Sequence, residues 1–413
     1  MHATPGALAQ ARETSNAAAN RVLTQEGMHG AFVRDGIGYQ PRIAQTSSRL
    51  EGLRLAVKDV FDVEDLCTGA GNPVWWRGQR PAQNSAFAVS ALLAAGARWV
   101  GKTVTDELAY SMTGANMHYG TPVNPADPQR LAGGSSCGSA VAVAGGHADI
   151  ALATDCGGSA RLPASYCGIW GIRPTHGFAG KSGFPLAPSF DAVGWFTASG
   201  ELLRDVLHVL VPDAQTHEPR LWLVPDDALA ECDPEVQVAM ADLLKKLDLA
   251  LKHIPTGTLP LSDWANVYRV LAGAEIWAEH GAWVAVNGSH LAEDILERFM
   301  VGSRIGADEI AQEQKVRDAA TQTLAGMLAN NAIIIMPTTP GPAPSVCSPA
   351  SVLAAERRRV QLLVSPAGVA GLPQVSMPWI KVDGAPVGLS VIGARGNDGT
   401  VVHAANLLAK LLC

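Results

Sequence analysis

The sequence predicts an α/β protein. Short runs rich in β-branched residues alternate with runs whose apolar residues recur at helical spacing, and this alternation is typical of α/β folds. The chain has 413 residues, of which 47% are hydrophobic and 17% are charged. That composition is enough for a large buried core, in one large domain or two ordinary ones. The net charge of −7 argues against a nucleic-acid partner, which would need a basic surface.

Predicted strands and helices alternate in the first half of the chain. We expect a helix over residues 1–30, a β-rich run over 52–63, a helix over 85–95, a strand over 98–102, a buried helix over 139–145 and a strand over 150–154. Lys58 lies inside the β-rich run. An interior lysine is unusual in a hydrophobic strand unless it is paired or functional.

The second half begins after a polar connection over residues 211–218. We expect a strand over 220–224, a helix with one apolar face over 235–252, largely helical structure over 263–329, a strand over 332–336, two strands within 374–393 and a last helix over 399–412. Asp383 and Gly384 separate the two strands of the 374–393 segment, and this dipeptide predicts a hairpin turn.

Two clusters of glycine and serine interrupt this pattern, at residues 133–139 (GGSSCGS) and 155–159 (DCGGS). Glycine costs backbone entropy, so such clusters indicate tight turns or a backbone that must approach another group closely. A flexible Gly/Ser linker is the alternative, but linkers are not interleaved with Val, Ile, Leu and Trp. The serines of both clusters are therefore candidates for catalysis.

A serine nucleophile needs a neighbouring base to remove its proton. His118, His147 and His176 are candidates for a Ser–His–Asp triad, although no G-x-S-x-G elbow surrounds Ser159. Lys58 is the other candidate, because burial favours the neutral form of a lysine. A lysine that extends from a strand edge or pairs with a nearby aspartate fits the same residues. The residues alone therefore leave the base open.

The two clusters and the segments around them resemble the amidase signature family. GGSSCGS and ATDCGGSARLPASYCG match its two signature segments, and GLRLAVKDVFDV matches its lysine strand. VGKTVTDELAYS, TPVNPADP, IRPTHG, PTTPGPAP, AGLPQVSMP and PVGLSVIGARGND match further landmarks in order, so the likeness covers roughly residues 50–400. GNPVWW, AYSMTGANMHYGTP and PSFDAVGW most resemble the short amidases related to plant indole-3-acetamide hydrolase.

The resemblance implies a Ser-cisSer-Lys triad. Ser159 is the implied nucleophile, and Lys58 is the implied final base. Ser135 is the implied bridging serine, which follows a cis peptide bond from Gly134.

Other roles carry over from the same family likeness. The implied oxyanion hole is formed by the backbone N–H groups of Cys156, Gly157, Gly158 and Ser159, the supporting residues are Ser136, Asp155 and Arg161, and the expected pocket-lining residues are Tyr110, Met112, Thr113 and Asn116. Trp75 and Trp76 either wall the acyl pocket or belong to the core. Leu162 stands where the malonamidase type has an arginine implied in carboxylate recognition.

The implied fold is the amidase signature fold, a large mixed central β-sheet covered on both faces by α-helices. We expect one domain over residues 1–413, with the signature core at about 50–200 and substrate-pocket helices at about 260–330. The implied activity converts a small or aryl-substituted carboxylic amide to carboxylate and ammonia through an acyl-enzyme on Ser159, without a metal or cofactor. The alternatives are the A subunit of a tRNA-dependent amidotransferase that releases ammonia from glutamine, a carbamate or urea hydrolase, and a non-catalytic docking relative.

The expected partner is a small-molecule amide, bound by a cytoplasmic protein that forms a homodimer. The N-terminus lacks the apolar run of a secretory signal, and no apolar run approaches the roughly 18 residues of a membrane helix. The seven cysteines are odd in number and lack the spacing of a disulfide or zinc framework. Reduced thiols in a cytoplasm agree with this pattern.

Overall fold

One ten-stranded mixed sheet runs through the part of the chain that the computed structural model describes, residues 23–412. Its strand order is β2-β1-β3-β5-β4-β9-β10-β8-β6-β7. The strands are β1 (Arg54–Lys58), β2 (Arg98–Thr103), β3 (Ile150–Asp155), β4 (Trp170–Arg173), β5 (Ala192–Thr197), β6 (Leu221–Pro225), β7 (Leu251–Ile254), β8 (Ala332–Pro337), β9 (Gln374–Val382) and β10 (Ala385–Ile392).

The helices that connect and cover these strands differ widely in length. They are α1 (Pro73–Arg77), α2 (Phe87–Ala94), α3 (Cys137–Ala144), α4 (Arg161–Cys167), α5 (Gly200–Leu210), α6 (Asp226–Ala230), α7 (Pro234–Lys245), α8 (Leu261–Val267), α9 (Gly273–Asn287), α10 (Glu293–Gly302), α11 (Ala307–Met327), α12 (Ala350–Ala370) and α13 (Asp398–Leu412). A π-helical turn at Tyr268–Ala272 joins α8 to α9, so the two form one continuous rod.

Strand β3 shows how helices come to cover both faces of the sheet. Successive side chains of a strand point to opposite faces. Ile150 and Leu152 enter one hydrophobic core, to which α2 contributes Leu92. Ala151 and Ala153 enter a separate core with residues of α3. The prediction of a mixed sheet with helices on both faces is therefore confirmed.

Parallel pairing brings the carboxyl ends of β1 and β3 to the same edge of the sheet. Strand β1 pairs parallel with both β2 and β3, and Val57 lies opposite Leu152. Lys58 therefore ends its strand beside the last residues of β3. The loops that follow parallel strands at this edge are where α/β proteins place their functional groups.

Most predicted elements are confirmed with small shifts of their ends. The hairpin between β9 and β10 turns at Asp383 and Gly384, both with positive φ, as a two-residue turn of this kind requires. The polar segment 211–218 contains no helix or strand and connects α5 to β6, as predicted.

Three elements differ from their predicted ranges in the described part of the chain. The helix expected over 235–252 ends at Lys245, because residues 251–254 form β7 and pair with β6. The β-rich run over 52–63 is a strand only from Arg54 to Lys58. The helix expected over 1–30 falls largely outside the described residues, and its described end is not a continuous helix, because Thr24 bridges to Val33.

The prediction of a single domain over 1–413 stays a prediction, because residues 1–22 and 413 lie outside the described part.

Candidate active site

Lys58 lies at the end of β1 with a fully buried side chain. Its Nζ donates to Ser135 Oγ at 2.8 Å and to Thr154 Oγ1 at 2.7 Å. Burial lowers the pKa of Lys58 to about 8, against the opposing charges of buried acidic groups, of which Asp106 has the largest effect. A large share of Lys58 is therefore neutral near pH 8, and a neutral lysine can accept a proton.

The first Gly/Ser cluster forms a loop that leads into α3. The Gly134–Ser135 peptide bond is cis, as the family likeness implies. Ser136 joins this loop to its surroundings, because its Oγ donates to Thr154 O at 3.2 Å and its N–H donates to Ser159 O at 3.3 Å. Ser136 thus holds the two Gly/Ser clusters against each other and against β3.

The second cluster forms the turn between β3 and α4, and it carries Ser159. Within the described residues, the N–H groups of Cys156, Gly157 and Ser159 make no hydrogen bond, so they are free to meet an anionic oxygen. The N–H of Gly158 differs, because it donates to Asp155 Oδ1 at 3.1 Å. Three of the four N–H groups predicted for the oxyanion hole are therefore available without rearrangement.

Asp155 anchors this turn from inside the protein. Arg161 binds its carboxylate through two hydrogen bonds, Nε to Oδ2 at 2.9 Å and Nη2 to Oδ1 at 2.8 Å. Arg173 donates to Asp155 Oδ1 at 3.1 Å and to its backbone oxygen at 2.6 Å. Burial by itself raises the pKa of Asp155, but the two arginines lower it well below its usual range. All three side chains are fully buried, so this cluster fixes the backbone that presents Ser159.

The histidines near the clusters in sequence are bound elsewhere. His118 pairs with Glu107 at 2.8 Å, His147 pairs with His29 at 2.8 Å, and His176 contacts the Pro188 carbonyl oxygen at 2.9 Å. None of them makes a hydrogen bond to a serine of either cluster within residues 23–412. Of the bases that the residues left open, the structure brings Lys58 alone to Ser135.

A cleft of about 1260 Å³ leads toward Ser159. Tyr110, Met112, Thr113 and Asn116, the four predicted pocket residues, all line it. A smaller hollow over Ser159 shares five lining residues with the cleft: Tyr110, Ser111, Met112, Tyr268 and Arg357. The cleft and the hollow therefore form one path to the nucleophile candidate.

The predicted pocket residues differ in whether their side-chain polar atoms already have hydrogen-bond partners in the protein. The Asn116 side-chain amide is used entirely on backbone groups, since Nδ2 donates to the carbonyl oxygens of Gly71 and Thr105 and Oδ1 accepts from two backbone N–H groups. The hydroxyl of Tyr110 has no hydrogen-bond partner among the described residues. Asn116 therefore shapes the wall, whereas Tyr110 still has a donor to offer.

Trp75 belongs to the core and not to the acyl pocket. Its ring packs edge-on against Phe184, His280 and Trp283. Neither Trp75 nor Trp76 lines the cleft or the hollow. Of the two fates that the sequence left open for Trp75, the structure shows packing in the core.

Comparison with known proteins adds independent evidence. The sequence model of the family described as Amidase matches residues 9–251 and 214–402. Amidase 1 of Arabidopsis thaliana is 35% identical, over 93% of this chain and 98% of that protein. A solved structure described as an amidase superposes with a TM-score of 0.81 at 28% identity, over 98% of this chain and 95% of that one.

The chain belongs to the amidase family. Its enzyme class follows, a hydrolase that acts on amide C–N bonds. Another relative is named as a translocon component and not as an amidase. The translocon at the outer membrane of chloroplasts 64, from Pisum sativum, is 32% identical over 84% of this chain and 64% of that protein.

Sequence reasoning missed several residues that hold the amidase site together. Thr154 binds Lys58, and Arg173 binds Asp155. Gln361 donates from Nε2 to the Gly157 carbonyl oxygen at 2.8 Å, so it ties helix α12 to the turn that carries Ser159. Thr154 and Arg173 lie inside the matched segments ATDCGGS and IRPTHG, and this position in the sequence could have identified them. Gln361 lies on a helix that the sequence reading did not predict.

No group of three or more His, Cys, Asp or Glu side chains among residues 23–412 is arranged to hold a metal ion. In the same part of the amidase, the helices are too short or too polar to cross a membrane.

Proposed function

We propose that this protein hydrolyses a carboxylic amide through an acyl-enzyme on Ser159, with Ser135 as proton bridge and Lys58 as base. The observation that supports this most is the buried contact of 2.8 Å between Lys58 Nζ and Ser135 Oγ, at a lysine whose pKa is lowered to about 8. A buried lysine that can lose its proton near neutral pH is suited to be a general base.

Acylation begins when Ser159 Oγ attacks the amide carbon. Its proton passes to Ser135 Oγ, whose own proton passes to neutral Lys58. The carbonyl oxygen becomes anionic and accepts hydrogen bonds from the free N–H groups of Cys156, Gly157 and Ser159, each typically worth about 3 kcal/mol. When the C–N bond breaks, Ser135 gives a proton to the leaving nitrogen and takes one back from Lys58. Ammonia leaves, and the acyl group stays on Ser159.

Deacylation repeats these proton transfers with water as the nucleophile. Water loses a proton through Ser135 to Lys58 and forms a bond with the acyl carbon. The bond to Ser159 Oγ then breaks, and the serine oxygen recovers a proton along the same path. No hydrogen bond joins the Ser135 and Ser159 hydroxyls among the described residues, so the proposed proton transfer requires the two hydroxyls to approach each other during the reaction.

Labelling with a fluorophosphonate tests the nucleophile. We expect one adduct on Ser159, located by peptide mass spectrometry, and none on the Ser159→Ala variant. Ser303→Ala is the matched control, because Ser303 lies at the end of α10 and bonds only its own helix. An unlabelled Ser159 in folded protein would overturn the proposal and favour the non-catalytic docking alternative.

The pH dependence of kcat/KM tests the base. Only neutral Lys58 can accept the proton, so activity is low when the lysine is protonated and rises as the pH increases through about 8. The measurement is a kcat/KM profile in buffers of constant ionic strength. A profile that stays flat across this range would contradict the assignment of Lys58.

The substrate is proposed to be a small-molecule amide, small or aryl-substituted, and the scheme uses neither a metal nor a cofactor. A homodimer in the cytoplasm stays a prediction, which light scattering and fractionation of cells would test.

A further inference from the structure

The hollow over Ser159 contains one charged side chain. Nine residues line it, and among them Arg357 alone is charged. Most of the others are small, apolar or hydroxylic: Ala109, Ser111, Met112, Gly157 and Leu186. A substrate that reaches Ser159 therefore meets a guanidinium group close to the bond that breaks.

Arg357 has no acidic partner in the described part of the chain. Arg359, two residues further along the same helix, pairs with Asp233 at 2.6 Å and with Glu356 at 3.3 Å. The half-buried guanidinium of Arg357 makes no hydrogen bond or ion pair to residues 23–412. A bound carboxylate would give this guanidinium the charge-assisted hydrogen bonds that it lacks within residues 23–412.

The five carboxylates that line the cleft do not line the hollow, and one of them, Glu356, accepts from Tyr166 and Arg359. Glu293, Asp294 and Glu297 lie on α10 at the mouth of the cleft, with exposed side chains. Glu107 also lines the cleft, but its two oxygens accept from His118, Asn72 and the backbone N–H of Ala292. Among the described residues, Arg357 is therefore the one charged side chain that lines the hollow at Ser159.

Two further groups near Arg357 could bind an anion, the Tyr110 hydroxyl and the Arg298 guanidinium. The hydroxyl of Tyr110 lines the same hollow without a hydrogen-bond partner among the described residues. Arg298 and Arg357 both line the cleft, and burial together with the charge of Arg357 lowers the pKa of Arg298 to about 10. Arg298 itself is bound, to Tyr110 O at 2.8 Å and Asp294 Oδ2 at 2.7 Å. Arg357 and the Tyr110 hydroxyl are thus the donors left for a ligand.

We propose that Arg357 and Tyr110 form an anion subsite and that the preferred substrate is an amide with a carboxylate a short distance from the scissile carbonyl, such as a monoamide of a short dicarboxylic acid. This inference rests on the proposed function. A guanidinium group suits the task because its fork of N–H donors matches the two oxygens of a carboxylate. The subsite lies on α12 and not after the nucleophile, where the sequence has Leu162.

Matched substrates test the subsite. Each pair has the same number of carbons, one member with a terminal carboxylate and one without: succinamate and butanamide, glutaramate and pentanamide, adipamate and hexanamide. We expect the wild-type enzyme to have the higher kcat/KM for the carboxylated member of at least one pair. Arg357→Gln should lower that value about 10- to 100-fold, as expected for losing hydrogen bonds to a charged group, with little change for the neutral member. Arg357→Lys should restore part of the loss.

Arg204→Gln is the matched control, since Arg204 lies on α5 with a half-exposed side chain and lines neither the cleft nor the hollow. It should leave both members of each pair unchanged. A wild-type preference for the neutral members, or an equal loss for both members in Arg357→Gln, would overturn the anion subsite while leaving the amidase proposal intact.

Calorimetry measures binding at the anion subsite independently of amide hydrolysis. Glutarate is titrated into Ser159→Ala, and into the same variant with Arg357→Gln added, after melting curves show that both are folded. We expect binding to the first protein and a loss of affinity of about 10-fold or more in the second. If no amide is hydrolysed at all, the proposed function fails, but this measurement still decides the subsite. Equal affinities would refute it.

Discussion

The proton path at Ser135 and the walls of the cleft are built in opposite ways. Lys58, Asp155 and Arg161 are fully buried, and their polar atoms are bound to named partners. The cleft is walled by the segment 107–121 and by residues of α8, α9, α10 and α12, and in this wall Arg357 and the hydroxyl of Tyr110 have no partner in the described part of the chain. We therefore propose that the buried interior fixes the reaction and that the wall of the cleft determines substrate choice. The predictions below test that division.

The largest effect is expected at Lys58. Lys58→Ala removes the proposed base and should lower kcat by about 10²–10⁴-fold, the range typical of general acid–base catalysis. Steady-state kinetics on any amide that the wild type cleaves is the measurement. The rise in activity near pH 8 should disappear with the lysine.

Lys58→Arg is the informative companion. Arginine keeps a positive charge but does not lose its proton in proteins, so it cannot act as the base. An active Lys58→Arg variant would mean that the charge matters and the proton transfer does not.

A large loss of stability is expected at Arg161. Arg161→Met leaves the Asp155 carboxylate buried with half of its arginine partners, and breaking a buried ion pair in this way typically costs about 3–5 kcal/mol. Urea unfolding followed by circular dichroism measures the free energy of unfolding. Arg204→Met is the matched control, because its exposed ion pair with Asp205 should contribute little. Similar losses in both variants would contradict the anchoring role of the buried cluster.

A smaller effect on kcat is expected at Gln361, which links the cleft wall to the turn that carries Ser159. Gln361→Leu removes the hydrogen bond from α12 to the Gly157 carbonyl oxygen. It should lower kcat by about 5-fold, and more than it raises KM, since one hydrogen bond contributes roughly 1 kcal/mol. The control is Gln314→Leu on α11, where the glutamine is exposed and bonds only Asp318. A change in KM alone would show that Gln361 belongs to the substrate wall and not to the catalytic turn.

This division also separates what the sequence could and could not predict. Ser135 and Ser159 lie in segments rich in glycine and serine, and Lys58 is an interior lysine of a hydrophobic strand, so all three are conspicuous in the sequence. The structure places Lys58 against Ser135, as the family likeness implied. Their catalytic roles stay predictions until the variants are assayed.

The part of the cleft wall that contains Arg357 could not be predicted from the sequence, for a physical reason. Arg357 reaches the hollow over Ser159 through the packing of α12, a contact between residues far apart in the chain. Its own neighbourhood reads ERRR, which is indistinguishable from a solvated helix face. The end of α7 was missed similarly, because the pairing of β7 with β6 overrides a local pattern that favours helix.

The alanines of β3 offer a way to adjust this enzyme from a distance. Ala151 and Ala153 are small on the side of the sheet that meets α3, which lets that helix pack close. The loop that carries Ser135 leads directly into α3, at Cys137. A larger residue at either alanine would push the helix outward and move Ser135 relative to Lys58. For protein engineers, these two positions therefore offer a way to tune the rate without touching any residue that meets the substrate.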